Sequence, residues 1–159
     1  MINVTFITVG SLKEDYLRAA TSEYVKRLSG YCRPSIIELR ETKLPDDPSK
    51  KEIDSALSAE GEKILAAIPP RAYTVALCVE GKQFSSEELA AVIDKATMSC
   101  SDVCFIIGSS HGLCDSVKAA ADLRLSVSKL TFPHQLMRVI LSEAVYRAFT
   151  IIKGTKYHK

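Results

Sequence analysis

The chain has 159 residues, 47% hydrophobic and 25% charged, with 7 glycines, 6 prolines and a net charge of +2. That length suits a single domain spanning 1–159 with one core, and the composition excludes a disordered, fibrous or low-complexity polymer. The longest apolar runs, such as Val103–Ile107, fall far short of the ~20 residues that cross a bilayer, and Met1 leads directly into a strand-like segment, so a soluble cytoplasmic protein is expected.

Ile2–Val9 alternates with a period near two, is rich in β-branched residues and ends at Gly10, which predicts a first strand. Lys13–Leu28 carries an apolar stripe at Tyr16, Leu17, Ala20, Tyr24 and Leu28, a helical spacing with Gly30 as its C-cap. Ser35–Leu39 reads as a second strand, followed by a loop over Thr42–Ser49 and a helix over Glu52–Ala67 that Pro69 and Pro70 stop. Tyr73–Val79 is a near-continuous apolar strand of the kind buried on both faces of a parallel sheet, and Gly81 turns the chain. Ser85 and Glu88 have the spacing of a capping box, so a helix runs from there to Met98. Asp102–Ile107 is a fourth strand, Asp115–Ala121 a short helix and Leu123–Val127 a fifth strand. Pro133 is expected at the first position of a long helix that ends near Ile152. Strand and helix alternate throughout, which predicts an α/β fold with a mainly parallel sheet and helices on both faces.

In such sheets ligands bind beyond the carboxyl ends of the strands, here the loops Glu80–Phe84, Gly108–Gly112 and Val127–Pro133. The glycine pattern is G-x-x-x-G rather than a dinucleotide fingerprint, and no acidic residue follows at the distance that binds a ribose, so a nicotinamide enzyme is disfavoured. His111 is either a proton carrier or a solvated loop residue. His134, beside Pro133, is read as a capping or packing group. Of the five cysteines, Cys78 and Cys104 fall within strands and read as small hydrophobes, while Cys114 alone has a histidine nearby. They form no metal-ligand cluster and no disulfide framework.

Residues 129–159 carry six Lys or Arg and one acidic residue, against a slightly acidic remainder, a balance that meets a polyanion locally. The helix from Pro133 to Ile152 is apolar on more than one side, which calls for a covering partner, most simply a second copy in a homodimer. Arg138 and Ser142 share one polar strip of it, while Glu143, Arg147 and Thr150 share another.

The strings Phe105–Leu113, Leu125–Arg138, Glu143–Arg147 and the ending Tyr157-His158-Lys159 resemble the RlmH family of 23S ribosomal RNA pseudouridine-N3 methyltransferases, and the likeness extends to Val9–Lys13 and to Leu77, Gly81 and Lys82. The resemblance implies the SPOUT fold with a C-terminal trefoil knot, and S-adenosylmethionine as methyl donor with no metal. It implies donor contacts at Leu77, Gly108, Val127, Ser128, Lys129, Leu130, Thr131 and Phe132. The family usually has two glycines where this chain has Gly108-Ser109, and a Cβ at 109 would crowd the donor or forbid a positive φ. The N3 of a pseudouridine carries an imide proton, so a base or a polarising group is needed. Glu143 and His158 are the candidate bases, and Arg138 and Arg147 the candidate stabilisers of an imide anion. The division of labour expected is a composite site in a homodimer, with the donor in one subunit and Tyr157 and His158 of the other against the base of an RNA in the large ribosomal subunit. A non-catalytic RNA- or ribosome-binding module is the alternative, and it leaves the glycine-bracketed loop unexplained.

Overall fold

The computed structural model describes residues 1–158; Lys159, part of the C-terminal motif, lies outside them. Five strands and five helices alternate: β1 (Asn3–Val9), α1 (Asp15–Leu28), β2 (Arg33–Leu39), α2 (Lys50–Ala67), β3 (Tyr73–Lys82), α3 (Ser86–Ser99), β4 (Asp102–Ile107), α4 (Asp115–Ala120), β5 (Leu123–Leu125) and α5 (His134–Ile152). The strands form one sheet in the order β2-β1-β4-β3-β5, and every pairing is parallel.

Alternation along the strands divides the core in two. Val4, Phe6, Val75, Val103, Phe105 and Ile107 pack with residues of α1, α3 and α5 on one face. Ile7, Val9, Ala76, Cys104 and Ile106 pack with Ile64 of α2 and Val117 of α4 on the other. Helix α5 lies against both α1 and α3, so elements of the same chain cover much of its second apolar side. Leu136 stays exposed, and Val139, Ile140 and Ala144 are half-buried.

Local signals act where they are self-contained. Ser85 and Glu88 form the expected capping box, with Glu88 N donating to Ser85 Oγ (3.1 Å) and Ser85 N to Glu88 Oε2 (2.7 Å); Ser49 and Glu52 form a second that starts α2 earlier than expected. Ile68, extended as a residue before proline must be, ends α2.

Five local expectations are corrected. Ser29, not Gly30, caps α1, and Gly30 does not adopt a positive φ. In α1 Tyr16 is 70% exposed while Thr21 takes a buried place. Gly81 does not turn the chain: β3 continues to Lys82, which pairs with Leu125, and a Cβ on Gly81 would lie 2.7 Å from the Leu125 carbonyl carbon. The glycine thus lets β5 approach β3 closely. Beyond Ala76 this strand is no longer buried on both faces, and Val79 is exposed. Finally, Pro133 is the N-cap of α5 rather than its first residue.

Candidate active site

Two cavities lie side by side at the carboxyl end of the sheet. The larger, about 740 Å³, is walled by the end of β3, the turn after β4 and the segment that joins β5 to α5, and it includes all the expected donor contacts except Lys129. Its shape follows from backbone constraints. Ser109 O accepts from Gly112 N (2.9 Å), closing a turn around Ser110 and His111, and Gly112 has φ +88°. A Cβ on Gly108 would lie 2.2 Å from the Gly112 carbonyl oxygen, so position 108 must be glycine for the turn to fold back on itself. After β5, Ser126 N donates to Lys82 O (3.0 Å), Ser126 Oγ to Ser128 O (3.1 Å), and Leu130 N to Ser128 Oγ (3.0 Å). The amides of Val127, Ser128, Thr131 and Phe132 make no hydrogen bond among the described residues. They stand beside apolar walls from Leu77, Ile107, Leu113 and Met137.

Ser109 lines this cavity. Its φ is not positive, and its hydroxyl donates to Glu60 Oε2 of α2 (3.2 Å). Lys118 and Glu80, at the edge of the cavity, form an ion pair at 2.5 Å that holds the Glu80 carboxyl below its usual range. His111 is exposed, whereas His134 is half-buried, and that burial lowers its pKa. Cys32 and Cys104 are buried, with thiols pushed up to about 12, which makes them packing groups rather than nucleophiles.

The smaller cavity, about 520 Å³, lies between β1, β2, α1 and α5. Arg138, 4% exposed, donates through Nη1 to Glu38 Oε2 (2.7 Å) and through Nη2 to the carbonyls of Val9 and Gly10. Its two Nη atoms thus bond to β2 and to the end of β1, and the structure sets Arg138 apart from the other four candidate catalytic residues.

Those four meet on one side of α5. Glu143 Oε1 accepts from Arg147 Nε (3.0 Å) and Nη2 (2.5 Å) and from the Tyr157 hydroxyl (3.1 Å). Its Oε2 has no hydrogen bond among the described residues. Burial, with the Tyr24 and Glu143 side chains, pushes the Tyr157 phenol up to about 12, so it stays protonated and donates. His158 Nδ1 lies 3.3 Å from Arg147 Nη1, and its Nε2 lies 2.6 Å from Glu87 Oε1 on α3. Tyr146 packs edge-on against Tyr157 at 4.8 Å between ring centroids, and the Arg147 guanidinium sits 4.8 Å from the Tyr157 ring centroid. Tyr157 and His158 are therefore tied down rather than frayed. Sequence reasoning missed the Glu87 and Tyr146 contacts; Glu87 looks like any first-turn acid of a capped helix.

A family model described as "Predicted SPOUT methyltransferase" matches residues 2–158. The chain belongs to the SPOUT methyltransferase family. It is 51% identical over 159 residues to a protein of Bacillus pumilus named "Ribosomal RNA large subunit methyltransferase H", covering 99% of this chain and 100% of that one. It matches a protein of the same name from Clostridium acetobutylicum with the same identity and coverage. Among solved structures, a probable methylase family protein from Haemophilus influenzae matches with a TM-score of 0.53 over 99% of this chain and 70% of that one, at 12% identity. A probable methyltransferase from Bordetella pertussis matches with a TM-score of 0.57 over 93% and 96%, also at 12% identity. At that identity the two structures bear on the fold alone. As a SPOUT methyltransferase the chain is an enzyme, and its larger cavity is the site to weigh against a methyl donor.

Proposed function

We propose that the protein transfers a methyl group from S-adenosylmethionine to N3 of a pseudouridine in 23S ribosomal RNA, as a cytoplasmic homodimer acting on the large ribosomal subunit or the assembled ribosome. The observation that carries this reading is the full-length likeness, at 51% identity, to proteins named for large-subunit ribosomal RNA methylation. The cavity fits the donor. Its volume lies within the ~300–1,000 Å³ of small-molecule sites, and uncommitted amides beside apolar walls suit a ligand with a flat base and a polar tail. The contacts assigned are Leu77, Gly108 and the run Val127, Ser128, Lys129, Leu130, Thr131 and Phe132. The trefoil path through the segment after β5 belongs to the same proposal.

When bound, the donor supplies an electrophilic methyl on a sulfonium. The chain's own residues must align the nucleophile and receive the imide proton. Glu143 Oε2, the carboxylate oxygen that makes no hydrogen bond among the described residues, is the acceptor. Tyr157 and Arg147, bound to the other carboxylate oxygen, fix its direction, and Arg147 and His158 face the carbonyls of the base. Met137 lines the donor cavity and Glu143 lies six residues further along α5, roughly 9 Å along the axis and on another side of the helix. The polar cluster of one chain is thus suited to meet the donor cavity of a second, across the exposed side of α5.

The test is incubation with labelled donor and free 23S RNA, large subunits or whole ribosomes, followed by nucleoside analysis. Label in N3-methylpseudouridine from one of the assembled substrates is the expected result, and stoichiometric RNA binding without label would favour a non-catalytic module. Deleting residues 155–159 should lower transfer by about 10²–10⁴-fold with donor binding intact. Mixing that chain with a Gly108→Val chain should restore activity in heterodimers, and an inactive heterodimer excludes a tail acting across the interface.

A further inference from the structure

Glu60, in the middle of α2, is 4% exposed, yet no lysine, arginine or histidine pairs with it among the described residues. A buried carboxylate without a cation is costly, and its place in the fold calls for an account. Its two oxygens go to two different loops. Oε1 accepts from Thr42 N (3.0 Å), in the segment between β2 and α2. Oε2 accepts from Ser109 Oγ (3.2 Å), at the first residue of the turn that walls the donor cavity. The same turn is closed by Gly112 N on Ser109 O, so Oε2 anchors the residue from which the turn springs.

The Thr42 side of the bridge also bears on the cavity. Glu41 places its Oε2 against Gly10, 3.2 Å from where a Cβ would stand, and its charge acts on His134, which lines the cavity. Packing holds α2 close enough to serve as the post: a Cβ on Gly61 would lie 2.3 Å from Cys114 Sγ, so glycine at 61 leaves the thiol its place between α2 and the start of α4.

We propose that Glu60 is a positioning residue for the methyl-donor site: through Ser109 and Thr42 it ties the turn 108–112 and the segment 41–42 to one rigid helix, and so presets the cavity before the donor arrives. The inference rests on the donor reading of that cavity. Preorganisation of this kind acts on donor affinity, because a turn already held in its bound shape loses less freedom on binding.

The experiment is calorimetric titration of S-adenosylmethionine into the intact protein and its variants, with thermal unfolding recorded for each. Ser109→Ala and Glu60→Ala should each weaken donor binding about tenfold, the size expected for one charge-assisted hydrogen bond. The double variant should be no weaker than Glu60→Ala alone. Glu60→Gln should bind within about threefold of the unaltered protein, because its carbonyl can accept from Thr42 N while its amide donates to Ser109 Oγ. Donor affinity unchanged in Ser109→Ala and Glu60→Ala, whatever happens to stability, overturns the inference, since a merely structural carboxylate would lower the melting temperature alone. Glu60→Gln binding as poorly as Glu60→Ala overturns it too, in favour of an effect of charge. If Glu60→Ala does not fold, Ser109→Ala decides by itself. Failure of the unaltered protein to bind the donor would instead overturn the donor site, and that result is distinct from all of these.

Discussion

The two cavities at the carboxyl end of the sheet differ in what they leave uncommitted. Consecutive residues of α5 separate them, Met137 lining the larger and Arg138 the smaller, and Ile107 of β4 borders both. In the smaller one a buried guanidinium is matched through its two Nη atoms to Glu38 and to the carbonyls of Val9 and Gly10. Thr8 Oγ1, Thr21 Oγ1 and Arg138 Nε, on residues that line it, have no partner among the described residues, and each exposes under 1 Å². In the larger one the uncommitted groups are main-chain amides that a ligand can meet. One cavity is a joint that fixes α5 on β1 and β2; the other is the proposed donor site. Open space at the end of an α/β sheet is therefore not a sufficient mark of a binding site; which polar groups remain unmatched is the discriminating feature.

The largest expected effect is at the proposed donor site. Gly108→Val drives a side chain into the Gly112 carbonyl and should abolish donor binding in calorimetry while circular dichroism shows the fold retained. Unchanged affinity would remove the turn from the site and erase the contrast between the cavities.

Next is the joint. Arg138→Met keeps the volume but leaves the carbonyls of Val9 and Gly10 without their donor, while Glu38, half-exposed, is rehydrated. A loss of about 3 kcal/mol in urea unfolding is expected, with donor affinity held within about twofold. A large drop in affinity with little loss of stability would make Arg138 part of the donor site.

The smallest effect concerns His134, at the border between them. Burial holds its pKa below the ordinary 6.5, Arg138 and Lys13 push the same way, and Glu41 opposes. The unfolded chain therefore binds that proton more readily. Folding stability should be complete above pH 6.5 and fall as pH drops below it. His134→Gln should reduce the difference between unfolding midpoints measured at about pH 5 and about pH 7.5. An unaltered difference would show that the imidazole is as hydrated in the fold as in the unfolded chain.

Periodicity and capping determined a good deal of this protein from its sequence alone. The β-branched alternation of β1, the apolar run of β4 and the Ser85–Glu88 box each act within a few residues, so strand and helix order, and with it the parallel α/β class, was legible. The location of the larger cavity was legible too, because the loops after β3, β4 and β5 follow directly from that order. Tertiary structure alone decided what required two distant segments to meet. Gly81 reads as a turn until β5 is laid against β3, and Ser109 shows no partner until α2 brings Glu60 to its hydroxyl. Arg138 and Arg147 share one expected role until β1 and β2 claim the first and Tyr157 and His158 meet the second. Glu60 carries no local mark beyond the glycine that follows it inside a helix. A residue's own neighbours fix its backbone preference, whereas burial, hydrogen-bond partners and charge environment are set by chain segments that meet only when the sheet has formed.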